Sequence, residues 1–113
     1  MKTQFLHELP EGMQPLASVF AALGDPVRQR ILLLFEPGEA LSIKEIAALF
    51  SLSRTAVVHH LNVLERAGVL AQERRGKATL YSVRPGVVLE ALDALRQYIL
   101  DEFPGVAGDG DTI

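Results

Sequence analysis

A mainly α-helical domain with one small β-hairpin is the fold class that this sequence predicts. Apolar residues recur at helical spacing in several segments, two short runs of strand-forming residues flank Gly76-Lys77, and Gly or Pro marks the junctions. A chain of 113 residues is one domain by length, and 49% apolar with 22% charged residues suits one modest core. The sequence has no cysteine, which removes disulfides, thiolate metal sites, iron–sulfur clusters and thiol redox sensing together. No apolar run approaches the roughly 20 residues that a membrane helix needs. The N-terminus has neither the apolar stretch nor the cleavage pattern of a signal peptide. The expectation is a cytoplasmic protein with no membrane partner.

Residues 1–14, with Pro10 and Gly12, read as a flexible arm, and the Gly/Asp-rich residues 104–113 as a flexible tail. Between them, Leu16, Val19, Phe20 and Leu23 form a helical stripe that Gly24 closes. Asp25-Pro26 opens a second helix, as N-cap and first helical residue. Ile31 to Leu34 make it apolar nearly all round, which predicts a central core helix ending before Pro37-Gly38. Leu41 to Ile43 is long enough only for a strand-like stub. Lys44 to Phe50 follows as a short helix, with Ile46, Ala47 and Phe50 inward. Ser51 to Ser53 turn, and Ser53 caps a helix from Arg54 to about Ala67 that Gly68 stops. Val69–Arg75 and Ala78–Val83 form the hairpin. Pro85 opens a last helix to Phe103, with Val88, Leu92, Leu95 and Ile99 in one stripe that Val87, Ala91, Ala94 and Tyr98 widen.

Helix, turn, helix and then a hairpin is a winged helix-turn-helix outline. Charge supports a nucleic-acid face although the whole chain carries −3. Residues 1–53 are net −2 and residues 85–113 net −5, but residues 54–84 hold six bases against two acids, net +4. On a helical wheel of Arg54–Ala67, Val57, Leu61 and Leu64 share the core face. Arg54, Thr55, Val58, His59 and Asn62 are the N-terminal members of the opposite face, suited to base edges in a major groove. Val58 suits a thymine methyl or packing against the preceding helix. His59 suits a phosphate or base edge, or plain solvation. His60 falls beside the apolar face and predicts a half-buried imidazole bonded to backbone. Adjacent histidines point about 100° apart and form no chelate.

The hairpin tip, with Arg74, Arg75 and Lys77 around Gly76, reads as a phosphate or minor-groove contact, the alternative being a solubilising tip. The stripe of Val88, Leu92, Leu95 and Ile99 is wide for a small monomer. With Leu16, Val19, Phe20 and Leu23 it predicts a homodimer interface, against ordinary core packing within one chain. No nucleophile elbow, Walker loop or dinucleotide fingerprint occurs, so an enzyme is not expected, and no metal or cofactor site is expected.

Residues 23–32 (LGDPVRQRIL), 52–70 (LSRTAVVHHLNVLERAGVL) and the wing Arg75-Gly76-Lys77 through Leu80-Tyr81-Ser82-Val83 resemble, in order and spacing, the ArsR-type (ArsR/SmtB) bacterial repressors. The resemblance spans about residues 15–103. It implies a DNA-binding and dimerisation domain, a homodimer built on the first and last helices, and repression at a partly palindromic operator in double-stranded DNA that an inducer relieves. Two departures matter. Val58 stands where the family often has serine. Ser42 and Lys44 occupy the places where metal-sensing members carry cysteines, and the last helix lacks the histidine of the family's other common site. The signal is therefore expected to be non-metal, its identity unknown. The alternatives are a winged-helix protein–protein interaction module, for which the basic tip has no evident use, and a MarR-like ligand-responsive repressor, usually a longer chain.

Overall fold

A computed structural model describes residues 1–107. A 3-10 turn (Glu11–Met13) leads into α1 (Gln14–Leu23), which has Pro15 in its first turn. Asp25 then caps α2 (Pro26–Leu32) by accepting from the backbone N–H groups of Val27 (2.8 Å) and Arg28 (3.1 Å). A short strand β1 (Ala40–Ser42) precedes α3 (Ile43–Leu49) and α4 (Arg54–Arg66). The wing is β2 (Leu70–Arg75) and β3 (Ala78–Val83), followed by α5 (Pro85–Glu102) and a single turn, α6 (Pro104–Ala107). The three strands form one antiparallel sheet in the order β1-β3-β2, with Leu41 opposite Tyr81 and Gln72 opposite the same tyrosine.

The core gathers one to three residues from nearly every element. Val19 and Ala22 come from α1, Ile31 from α2, Ile46 from α3, and Val57, Leu61 and Leu64 from α4. Val69, Leu70, Tyr81 and Ala91 complete it. Each helix therefore contributes a narrow stripe, as the 3.6-residue repeat requires. Burial pushes the Tyr81 phenol above its ordinary pKa, with a further push from the charge of Glu65, so it stays neutral between the strands.

Several expectations are corrected here. Val19, assigned to the dimer face, is 4% exposed and sits in the core of a single chain. The second helix does not surround itself with core. It ends at Leu32, only Ile31 is fully buried, and Leu33 is 83% exposed, because seven residues make only two turns and one face meets the domain. The short helix begins at Ile43 rather than Lys44, because Ser42 and Glu45 form a capping box. Ser42 Oγ accepts from the Glu45 N–H at 3.1 Å, and Glu45 Oε1 accepts from the Ser42 N–H at 2.9 Å. Gln14, placed in the arm, already belongs to α1. Lys2 of the arm pairs with Glu102 at the end of α5. Residues 104–107 of the expected tail form α6; the rest of that tail lies outside the described residues.

Candidate nucleic-acid interface

The turn Phe50–Ser53 joins α3 to α4, and Ser53 Oγ accepts from the Ala56 N–H at 3.1 Å to start α4. Arg30 of α2 stacks over the Phe50 ring at 5.2 Å, holding the turn against α2. With Val57, Leu61 and Leu64 buried, α4 is fixed in rotation. Arg54, Thr55 and His59 are then exposed, and Val58 and Asn62 are half-buried along the same side. All five side chains expected to face DNA thus lie off the core face.

A second anchor holds α4, and Arg28 supplies it. Its Nε donates to the Ala22 carbonyl at 2.7 Å, Nη2 donates to the Ala21 carbonyl at 3.1 Å, and Nη1 lies 3.3 Å from Nδ1 of His60. A guanidinium only donates, so the His60 ring accepts at Nδ1 and carries its proton on Nε2. The half-buried imidazole is therefore bonded to an arginine and not, as expected, to backbone. Gln29 Nε2 donates to the Leu23 carbonyl at 2.6 Å. Carbonyls at the end of α1, orphaned by helix geometry, are thus satisfied by side chains of α2. The same Arg28 N–H that Asp25 accepts holds the Asp25 carboxyl below its ordinary pKa, against the opposing effect of desolvation and with help from the Val27 N–H. The Ser42 N–H, then the Ser42 hydroxyl, do the same for Glu45.

The wing projects beside α4. Arg75 pairs with Ala78, which leaves Gly76-Lys77 as a two-residue loop with Gly76 at φ +62°, a conformation that glycine adopts without strain. Gly68, at φ +83°, reverses the chain between α4 and the wing in the same way. Residues alternate across a strand, so Arg74 and Arg75 point to opposite faces of β2 and do not act as one patch. Arg75 is also paired with Glu73 at 2.7 Å, which offsets part of its charge.

At the tip end of the wing a cavity of about 360 Å³ is lined by Ser42, Ile43, Lys44, Arg54, Lys77, Ala78 and Thr79. It brings two expected residues, Arg54 and Lys77, to a third cation, Lys44, that sequence reasoning missed. Lys44 was hidden because it belongs to the acidic first half of the chain, and only the packing of α3 against α4 and the sheet carries it to the basic side.

The other candidate surface lies on α5. Leu16, Phe20, Leu23 and Val88 are half-buried and pack on the core. Leu92 (48%), Leu95 (37%) and Ile99 (39%) are exposed, flanked by exposed Tyr98 and Phe103. Ala91 is the one fully buried residue of this 18-residue helix. Among the described residues, no three His, Asp or Glu side chains are grouped to hold a metal ion, and no helix is long and apolar enough to cross a membrane.

Comparison with known proteins agrees with this geometry. Residues 23–73 match a helix-turn-helix domain family. The transcriptional repressor SdpR of Bacillus subtilis (strain 168) is 33% identical over 82 residues, covering 73% of this chain and 90% of the relative. An ArsR-like transcriptional regulator from Rhodococcus sp. RHA1 superposes with a TM-score of 0.76 at 25% identity, over 91% of this chain and 96% of the other. The homodimeric winged helix-turn-helix DNA-binding domain Mb0332 from Mycobacterium bovis, a possible ArsR-family regulator, gives a TM-score of 0.64 at 25% identity, over 91% and 93% of the two chains. A basic wing beside a helix-turn-helix with an exposed polar face, found in a chain with these relatives, places the protein in the ArsR-type family of winged helix-turn-helix, DNA-binding transcriptional regulators.

Proposed function

We propose that the chain is a homodimeric repressor that reads a partly palindromic operator with α4 and grips the flanking phosphates with its wing. The observation that carries this is the exposed side of α4, where Arg54, Thr55 and His59 stand free beside an uncovered basic hairpin tip. Val58 and Asn62 complete the reading face, and Arg74, Arg75 and Lys77 supply backbone contacts. Dimerisation is supported by the apolar α5 surface of Leu92, Leu95 and Ile99, bordered by Leu16, Phe20, Leu23 and Val88. It is also supported by the homodimeric state of the Mycobacterium bovis relative. Two α4 helices related by a two-fold axis read two half-sites, which is why the operator is expected to be partly palindromic. Release by a signal other than a thiolate-bound metal follows from a sequence with no cysteine.

Selection from a random duplex library with the full chain tests this reading. The expected product is an enriched inverted repeat. On it, Thr55→Ala or Asn62→Ala costs about 1–3 kcal/mol for a lost base contact and much less on random duplex. Arg75→Ala or Lys77→Ala weakens both alike. Equal losses on both duplexes for Thr55→Ala and Asn62→Ala would remove α4 from the reading role.

A further inference from the structure

We infer that Lys44, Arg54 and Lys77 close around a single backbone phosphate of duplex DNA, so that one phosphate clamps the helix-turn-helix to the wing. This rests on the DNA-binding reading above and adds to it a site and a residue, Lys44. The three cations come from three elements: the first turn of α3, the first residue of α4 and the tip loop of the wing. They line one cleft. Three of the other bases are matched by carboxylates: Lys2 by Glu102, Arg28 by Asp25 and Arg75 by Glu73. Among the described residues, Lys44, Arg54 and Lys77 have no such partner, and all three are exposed. No carboxylate lines the cleft. The nearest in sequence, Glu45, is tied back onto the Ser42 N–H.

Three like charges facing one cleft repel one another unless an anion lies between them, and a phosphodiester supplies that charge. The hydroxyl of Thr79, also in the lining, adds a donor. Location selects the ligand. Arg54 is the residue immediately before Thr55 on the proposed reading face, so an anion held here is adjacent to the groove that α4 enters. A shared phosphate also makes the wing and α3 interdependent. Either lysine alone closes one side of the cleft, and the second adds less once the first is gone.

The test is a double-substitution cycle on the full-length protein, with a labelled random-sequence duplex of about 30 base pairs as probe, since phosphate contacts are independent of sequence. Lys44→Gln is expected to weaken binding roughly fivefold and to flatten its salt dependence, and Lys44→Arg to restore both. Lys77→Gln should weaken binding similarly. The double variant should lose clearly less than the product of the two single losses, because both side chains serve one phosphate. Lys2→Gln, a remote paired lysine, is the control for net charge and should leave binding unchanged. Wild-type affinity in Lys44→Gln, with Lys77→Gln still weakened, would overturn the clamp while leaving DNA binding by the wing intact. Single losses that multiply in the double variant would assign the lysines to separate phosphates and overturn it as well. Failure of the wild-type protein to bind any duplex would remove the DNA-binding reading itself, and the clamp with it.

Discussion

Replacing Arg28 by alanine should destabilise the fold more than the loss of its polar neighbour Gln29 at the junction of α1, α2 and α4. The guanidinium is 14% exposed and donates to two carbonyls, at 2.7 and 3.1 Å, as well as to His60 at 3.3 Å. A hydrogen bond from a charged donor contributes about 1.5–3 kcal/mol net, and a buried acceptor left empty costs about 1–3 kcal/mol. Full cost at all three acceptors is excluded by access. A groove lined by Ser18, Ala21, Ala22, Val63, Arg66 and Ala67 runs past this guanidinium and admits water to the vacated site. One acceptor at full cost and the others hydrated gives a loss of about 2–3 kcal/mol. Gln29→Ala removes one exposed neutral bond from the same helix end and should cost only about 0.5–1 kcal/mol. Urea unfolding at one fixed protein concentration measures both, because the stability of a dimer depends on concentration. Arg28→Lys should recover less than half, since an ammonium cannot span acceptors on two helices. A loss below about 1 kcal/mol for Arg28→Ala, or one no larger than for Gln29→Ala, would refute the claim that this side chain anchors α4.

Leu95→Glu places a charge on the exposed α5 stripe and should yield a folded monomer by sedimentation that binds DNA weakly; a persistent dimer would move the interface elsewhere. Asp25 has a depressed folded-state pKa, so the stability it adds is present above the unfolded value and is lost as pH falls through the folded one. Asp25→Asn keeps a cap but not the titration, and should flatten the decline of the urea midpoint below about pH 4; an unchanged decline would show that the cap carboxylate is not the group being protonated. Stoichiometric zinc, nickel, copper or arsenite should change duplex affinity by no more than about twofold, and calorimetry detecting submicromolar metal binding coupled to DNA release would contradict this.

Short-range rules carried most of the element order. Asp25 and Ser53 cap helices through bonds to N–H groups two or three residues on, Gly68 and Gly76 take the positive φ that their turns require, and Val57, Leu61 and Leu64 share a face because of the helical repeat. The capping box at Ser42 and Glu45 is local in the same way, and it starts α3 at Ile43, one residue before the start that apolar periodicity predicts. The same periodicity cannot say what an apolar stripe meets. Val19 and Leu95 look alike in sequence, yet one is enclosed by its own chain and the other is left open, because α1 lies across only part of the long helix α5. Arg28 and His60 are 32 residues apart, and no local pattern pairs them. Lys44 reads as part of an acidic segment until α3 packs on α4 and the sheet. Helices and turns follow from interactions within about four residues, which the sequence states directly. The cleft, the anchor and the free face depend on how separate elements dock, and that is decided only when all of them compete for one small core.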